Sequence, residues 1–216
     1  MSRLLILFAK SPTPGLVKTR IGASIGMKKA AIIFTKLLKI AITESATNEL
    51  WQQLIAITPE SNEDYFQQQM LQTVRQKGQN LGERISNAFL LGFEAGAEQV
   101  MVIGSDIPAL NRAQITNAYH SLNKFPAVIG PSTDGGFYLF GVSHEYCKTA
   151  AHIFLDNIAW STSKVFDEVK KLCQKEDLPL FTLPEKRDID TYEDWIAYNL
   201  ENAAVMGYKD DRQQLP

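Results

Sequence analysis

The sequence has few cysteines and lacks any disulfide or zinc pattern. Only Cys147 and Cys173 occur among 216 residues, and neither belongs to a Cys-x-x-Cys pair or a Cys/His cluster. This usage argues against a disulfide-stapled scaffold and a structural zinc site, and it fits a reducing cytoplasm. The three histidines, His120, His144 and His152, form no ligand pattern either, so ordinary surface or packing roles are expected for them.

Long apolar runs and an excess of one charge are also missing. The run at residues 4–9 stops at Lys10, which is too short for a bilayer span or a signal-peptide core with its cleavage site. The 22 Lys and Arg against 24 Asp and Glu give a formal net charge of -2, so there is no broad attraction to nucleic acid or anionic membrane. We therefore expect a soluble, cytoplasmic protein with no membrane span and no nucleic-acid partner.

Enough apolar sequence is present to build a core. Hydrophobic residues make up 45% and charged residues 21%. Short apolar runs alternate with segments of helical period, a pattern typical of an α/β fold with a largely parallel sheet flanked by helices. Strands are predicted at residues 3–9, 53–58, 99–104, 126–131, 137–142 and 178–183. Helices are predicted at residues 24–45, 81–95, 111–123, 161–176 and 191–203.

Local signals refine this layout. Ser24 and Asn111 are the predicted N-caps of two of the helices. The Thr-Asp-Gly-Gly turn signal at residues 133–136 permits a hairpin, so the sheet is predicted to be mixed. We expect residues 1–205 to form a single domain, and the polar residues 206–216 to form a flexible tail.

A basic segment containing proline and glycine follows the first predicted strand, at residues 10–20. Open α/β sheets bind ligands at the carboxyl ends of their strands, and Gly15 would let the backbone approach a ligand. Lys18 and Arg20 suit a diphosphate, since arginine offers a planar fork and lysine a compact charge, and Lys10 is a further candidate. The segment is neither a Walker sequence nor Gly-x-Gly-x-x-Gly, so a solvated basic loop is the alternative.

An acid follows the buried strand at residues 99–104. Asp106 lies where a hard divalent cation such as Mg²⁺ would find one of its one or two carboxylate ligands, and Ser105 is a candidate contact beside it. The alternative is a turn-forming aspartate that bonds its own backbone.

Two later segments supply further acids. Asp134 would bind a hydroxyl of donor or acceptor, or a metal, with Tyr138 lining the cleft, although Asp-Gly is a turn signal in its own right. Asp188 and Asp190 would point to the same side of an extended segment. Asp190 is alternatively the cap of the last helix, in a capping box with Glu193.

Two weaker features lie near helix starts. Arg84 is in the first turn of the predicted helix 81–95, where free N–H groups would bind an anion, and an ordinary solvated arginine is the alternative. The Trp-Ser-Thr sequence at residues 160–162 is interpreted as a helix cap, with Trp160 in the core.

Four motifs, taken together and in order, carry a resemblance. They are Phe-Ala-Lys-x-Pro-x-Pro-Gly-x-Val-Lys-Thr-Arg, Gly-Ser-Asp-x-Pro-x-Leu, Gly-Pro-x-x-Asp-Gly-Gly and Asp-x-Asp-Thr, at residues 8–20, 104–110, 130–136 and 188–191. Over about residues 3–200 the chain resembles the bacterial radical-SAM- and selenodomain-associated transferases, some of which are called arsenosugar-biosynthesis glycosyltransferases. The resemblance extends more distantly to nucleotidyltransferases such as 2-phospholactate guanylyltransferase and the molybdenum-cofactor guanylyltransferase.

The resemblance implies a Rossmann-like glycosyltransferase A-type fold, a nucleotide-diphospho-sugar donor and a divalent metal, Mg²⁺ or Mn²⁺. The sequence departs from relatives in two ways: the Leu-Ala-Gly-Gly-x-x-x-Arg loop of many sugar nucleotidyltransferases is absent, and Asp106 is not part of an Asp-x-Asp. We therefore predict that Asp106 and Asp190 hold the metal, Lys18 and Arg20 grip the donor phosphates, and Asp134 faces the transferred group or the small-molecule acceptor. Nucleotidyl transfer from a triphosphate, or nucleotide binding without turnover, are the alternatives.

Overall fold

A seven-stranded sheet forms the centre of the structure, a computed structural model that describes residues 2–205. Its strands are β1 Arg3–Ala9, β2 Gln52–Ile57, β3 Thr73–Arg75, β4 Gln99–Ile103, β5 Ala127–Pro131, β6 Phe137–Ser143 and β7 Leu180–Thr182. The strand order is β3-β2-β1-β4-β6-β5-β7. Only β6 runs against its neighbours, β4 and β5, and the other pairs are parallel. The sheet is therefore mixed and mostly parallel, as predicted.

Helices cover both faces of this sheet. They are α1 Thr19–Ile25, α2 Met27–Ser45, α3 Asp64–Gln67, α4 Leu81–Glu94, α5 Arg112–Leu122, α6 Cys147–Leu155, α7 Val165–Lys175 and α8 Tyr192–Val205, with a 3-10 turn at His144–Tyr146. Leu5 and Leu7 of β1 pack with residues of α2 and α5, whereas Ile6 packs with residues of α4, α6 and α7. Successive strand residues point to opposite faces, so a strand buried on both must be apolar throughout.

The element predictions are largely confirmed. All six predicted strands are present, with ends within two residues of those predicted. Asn111 caps α5 in a capping box with Gln114. The prediction of one helix over residues 24–45 is wrong, because the chain breaks at Gly26, whose φ of +92° is outside the helical range. Ser24 therefore lies inside α1 and caps nothing.

Three other predictions, of a helix cap, a flexible tail and a single domain, were not confirmed. The cap predicted at residues 160–162 is wrong: α7 begins at Val165 with Lys164 as its N-cap, and no side chain caps it. The predicted tail at residues 206–216 lies outside the described residues. That residues 1–205 fold as a single domain stays a prediction. Within residues 2–205, no helix combines the length and the apolarity needed to cross a membrane.

Tyr119 carries an unusual hydroxyl. The side chain is fully buried, stacks on Trp51 with ring centroids 5.7 Å apart, and lies under the guanidinium of Arg3. Its hydroxyl has no hydrogen-bond partner among the described residues, and burial raises the pKa of the phenol. An unpaired buried hydroxyl has lost its water without a replacement, which opposes folding.

Tyr119→Phe is therefore expected to leave the free energy of unfolding unchanged or to raise it by up to about 1 kcal/mol. The matched control is Tyr138→Phe, because the Tyr138 hydroxyl donates to the Pro184 carbonyl at 3.0 Å. The control should lower the free energy of unfolding by about 1 kcal/mol. Urea denaturation measures both, and equal losses in the two variants would mean that the Tyr119 hydroxyl has a partner.

Candidate functional site

A cavity of about 990 Å³ opens where β1 and β4 end. Because β6 alone is reversed, the carboxyl ends of the other strands share one edge of the sheet, the usual ligand edge of such folds. The cavity is called the cleft below. The predicted site residues that line it are Lys10, Lys18, Arg20, Arg84, Ser105, Asp106, Asp134 and Asp190. Residues from five distant segments thus meet in one place.

Asp106 and Asp190 are brought together by a backbone hydrogen bond. The Ile189 amide donates to the Asp106 carbonyl at 3.0 Å, which fixes the segment before α8 against the loop after β4. Ile189 anchors this contact because its side chain is buried in a cluster with Ile21 and Trp195. Burial of the Ile189 side chain therefore keeps Asp106 and Asp190 next to each other.

Lys18 bridges these two acids. Its Nζ lies 3.2 Å from Asp106 Oδ2 and 3.0 Å from Asp190 Oδ1, and its side chain is only 5% exposed. Burial alone would lower the pKa of Lys18, but the two carboxylates outweigh it and raise that pKa above its ordinary value. The bridge therefore keeps its positive charge. The structure places Lys18 on the predicted metal ligands, and its predicted role in phosphate binding stays a prediction.

The other cationic side chains are more open. Arg20 is 75% exposed and its Nη1 lies 3.3 Å from Asp190 Oδ2. Lys10 is exposed at the rim of the cleft. Arg84 is partly buried and its Nε donates to the Gly78 carbonyl at 3.2 Å. All three line the cleft, and each has more N–H groups than these contacts use, so they could bind an anion there.

Gly15 has a local structural explanation. It is exposed, has a φ of +84°, and lies at the corner of a turn closed by the Leu16 amide and the Thr13 carbonyl at 3.0 Å. Proline before a glycine of positive φ is typical of such a turn, and Pro14 takes that place. Gly15 is not among the residues that line the cleft. Its predicted contact with a ligand therefore stays a prediction.

Thr191 and Asp194 cap the N-terminus of α8, and the Asp190 side chain takes no part in this cap. Thr191 Oγ1 accepts from the Asp194 amide at 3.2 Å, and Asp194 Oδ2 accepts from the Thr191 amide at 2.8 Å. This is a capping box displaced by one residue from the predicted pair of Asp190 and Glu193. The alternative interpretation of Asp190 as the cap is wrong, and its carboxylate faces Lys18 and Arg20 instead.

Asp134 combines the two roles that the sequence left open. Its Oδ1 accepts from the Gly136 amide at 2.9 Å and from the Ser132 hydroxyl, so the carboxylate does form a turn. The same side chain is exposed and lines the cleft. Burial raises the pKa of nearby Asp188 to about 6, with further contributions from Asp134 and Asp190. The charges of Asp134 and Asp190 therefore act on Asp188, which is not itself among the residues that line the cleft.

Comparison with known proteins assigns the chain to a family. Residues 41–162 match the bacterial family DUF2064, described as an uncharacterized protein conserved in bacteria. The chain belongs to this family. No curated protein matches it. 

Solved structures match this DUF2064 member along nearly its whole length. A protein from Desulfovibrio desulfuricans G20, provisionally described as a nucleotide-diphospho-sugar transferase, is 26% identical, with 98% of this chain and 100% of that chain covered and a TM-score of 0.81. A 4-diphosphocytidyl-2C-methyl-D-erythritol synthase from Anaerococcus prevotii DSM 20548 is 13% identical, with 93% and 98% covered and a TM-score of 0.63. A cytidylyltransferase from Leptospira borgpetersenii is 11% identical, with 100% and 99% covered and a TM-score of 0.61. The predicted fold is confirmed.

Sequence reasoning missed part of the cleft. Gln76 and Thr58 line it, and both follow strands that end at the same edge of the sheet. Gln76 is buried, and its Nε2 donates to the Ala56 carbonyl at 2.7 Å. It follows β3, a three-residue strand too short to give a sequence pattern. Trp160, expected in the core, stacks on Phe154 and also forms a wall of the cleft.

Proposed function

We propose that this chain transfers a glycosyl group from a nucleotide-diphospho-sugar to a small-molecule acceptor, with the help of Mg²⁺ or Mn²⁺. One observation carries the proposal: basic and acidic side chains from distant segments converge in one cleft at the carboxyl edge of the sheet. The 26% identical structure that is provisionally described as a nucleotide-diphospho-sugar transferase supports it. The narrower resemblance to the radical-SAM- and selenodomain-associated transferases remains a hypothesis.

The cationic residues of the cleft would bind the donor phosphates. Arg20 and Arg84 can each offer paired N–H groups to phosphate oxygens, and Lys10 and Lys18 add point charges. Donors that are already in place would stabilise the charge that develops on the leaving diphosphate. Such electrostatic stabilisation is the largest contribution to the rate enhancement of many enzymes. In this proposal the basic groups act on the leaving group, and folding depends little on the exposed ones.

The acids fit a hard divalent cation. Asp106 Oδ1 is buried without a hydrogen-bond partner among the described residues, and Asp106 and Asp190 present oxygens to one common point, the Lys18 ammonium. Residues 2–205 contain no group of three His, Cys, Asp or Glu arranged for a metal. Mg²⁺ is commonly bound by one or two carboxylates, with phosphates and water filling its other coordination positions. Once bound there, the metal would neutralise charge on the leaving phosphate.

The remaining residues favour direct displacement. Asp134 is held rigidly by Gly136 and would orient the acceptor or the transferred sugar. A covalent intermediate needs an activated nucleophile, and the two cysteines do not provide one. Both thiols are buried, and burial raises the pKa of Cys173 to about 12 and that of Cys147 above its ordinary value. Neither lines the cleft.

The test separates glycosyl from nucleotidyl transfer. The protein and Mn²⁺ are incubated with a nucleotide-sugar panel and, separately, with a nucleoside triphosphate panel, each with pooled cytoplasmic metabolites as acceptors. Phosphorus NMR identifies the products. Release of a nucleoside diphosphate from one nucleotide-sugar is expected. Pyrophosphate release with a nucleotide-capped product would replace this proposal with nucleotidyl transfer, and silence in both panels would leave a nucleotide-binding module.

A further inference from the structure

The ammonium of Lys18 occupies the point at which two proposed metal ligands converge. Asp106 Oδ2 and Asp190 Oδ1 lie 3.2 Å and 3.0 Å from Nζ, and the lysine side chain is almost completely buried between them. The carboxylates are more accessible, with 44% and 40% of their side chains exposed. A buried cation therefore faces two acids that solvent can still reach.

A divalent cation and this ammonium cannot share the two oxygens comfortably. Metal–oxygen distances for Mg²⁺ are about 2.0–2.1 Å, so a metal on both acids would lie close to Nζ. Like charges at such range repel strongly where burial reduces solvent screening. Lys18 must therefore move before the two acids can hold a metal.

The backbone conformation and the length of Lys18 favour that movement. Its backbone is left-handed, with φ 45° and ψ 48°. Residues other than glycine and asparagine rarely adopt this conformation. Lys18 follows the exposed turn at Pro14 and Gly15, and its ammonium is carried on a flexible four-carbon side chain. The ion pairs thus favour the observed geometry, and an anion in the cleft would offer the ammonium a different partner.

We propose that Lys18 is a built-in counter-ion that blocks the metal site until phosphate draws it away. This inference rests on the proposed function, since it takes the donor to carry phosphates and Asp106 with Asp190 to hold the metal. The ligand-free protein then binds divalent metal weakly. Phosphate and metal raise each other's affinity by the same factor, as linkage requires. The cleft would therefore load metal only together with a phosphorylated ligand.

The experiment titrates Mn²⁺ alone into the full-length protein and measures free Mn²⁺ by electron paramagnetic resonance. Lys18→Met should bind Mn²⁺ at least about tenfold more tightly than wild type, within the range of ordinary coupling effects. Lys171→Met is the matched control, because it removes the same charge from an exposed position of α7 that does not line the cleft, and it leaves the bridge intact. The control should stay within about threefold of wild type.

Two further variants secure the interpretation. Lys18→Gln keeps a donor towards the acids without the charge, so it provides the same test if Lys18→Met folds poorly. Adding Asp106→Asn to Lys18→Met should remove the gained affinity, which locates the Mn²⁺. Wild-type affinity in both Lys18 variants, or a gain that survives Asp106→Asn, would overturn the counter-ion role.

A separate measurement tests the proposed function on which this depends. Equilibrium dialysis of radiolabelled inorganic pyrophosphate against wild type, with and without Mn²⁺, should show retention that depends on the metal. Failure there would remove the proposed phosphate and metal site itself. Metal-dependent retention combined with unchanged Mn²⁺ binding in the Lys18 variants would leave the proposed function standing and reject the counter-ion role alone.

Discussion

Replacing Asp106 with asparagine should lower the transfer rate by about a thousandfold, the size of effect seen when one electrostatic contact to the transition state is removed. Asparagine keeps the shape of the side chain but removes the charge that would hold the metal and pair with Lys18. The rate should also lose its dependence on Mn²⁺. Initial rates with the donor identified in the nucleotide-sugar panel, measured over a range of Mn²⁺ concentrations, provide the check.

Folding should hardly change in this variant. The Asp106 side chain is 44% exposed, and the buried Lys18 ammonium would keep its ion pair with Asp190, so the cost to stability should be small. Asp167→Asn is the matched control, because Asp167 is an exposed aspartate in the first turn of α7 and does not line the cleft. The control should keep its rate. If Asp106→Asn also kept its metal-dependent rate, Asp106 would be a turn residue and no ligand.

Gly135→Ala should lower the free energy of unfolding by about 2–4 kcal/mol, since it combines backbone strain with overpacking. Gly135 has a φ of +86°, which alanine adopts only with strain. An added Cβ would also lie 2.2 Å from the Ser163 carbonyl oxygen, a backbone atom that cannot move aside alone. The Gly135 carbonyl accepts from the Phe166 amide, so the clash would disturb the start of α7 as well.

Gly136→Ala is the natural comparison for this variant. Its added Cβ would lie 3.1 Å from Asp134 Oδ1 and 3.2 Å from Ser132 Oγ, both of which are side-chain atoms, and its φ is not positive. We expect a loss of about 1 kcal/mol or less. Urea denaturation of the two variants measures the difference. Equal losses would mean that the loop moves freely and that the contact with Ser163 does not constrain it.

The sequence predicted the sheet well because its strands are buried on both faces. A segment such as residues 3–9 must then be apolar at nearly every position, and that pattern is hard to mistake. The helices were less certain. Residues 24–45 have a continuous helical period, yet Gly26 divides them, and a single glycine inside such a pattern is often tolerated. β3 and α3 were missed because three or four residues carry no period, and the nine-residue helix α6 was not predicted either.

For the candidate site, the sequence predicted the residue types but not their pairing. The strand ends of β1 and β4 indicated that Lys18 and Asp106 would share an edge. That Lys18 would bridge Asp106 and Asp190 depends on the hydrogen bond between Ile189 and Asp106, which joins segments far apart in the chain. No local pattern encodes such a contact. The roles of the cleft residues in binding and catalysis stay predictions.

The hydrogen bond between Ile189 and Asp106 also sets the time at which the cleft is complete. A chain emerges from the ribosome amino end first, and Asp190 follows Asp106 by roughly 80 residues, which takes several seconds at about 5–20 residues per second. During that interval β1 and β4 can pair, whereas the second carboxylate has not yet been made. A growing chain therefore lacks one of the two carboxylates that pair with Lys18 until most of its residues have been made.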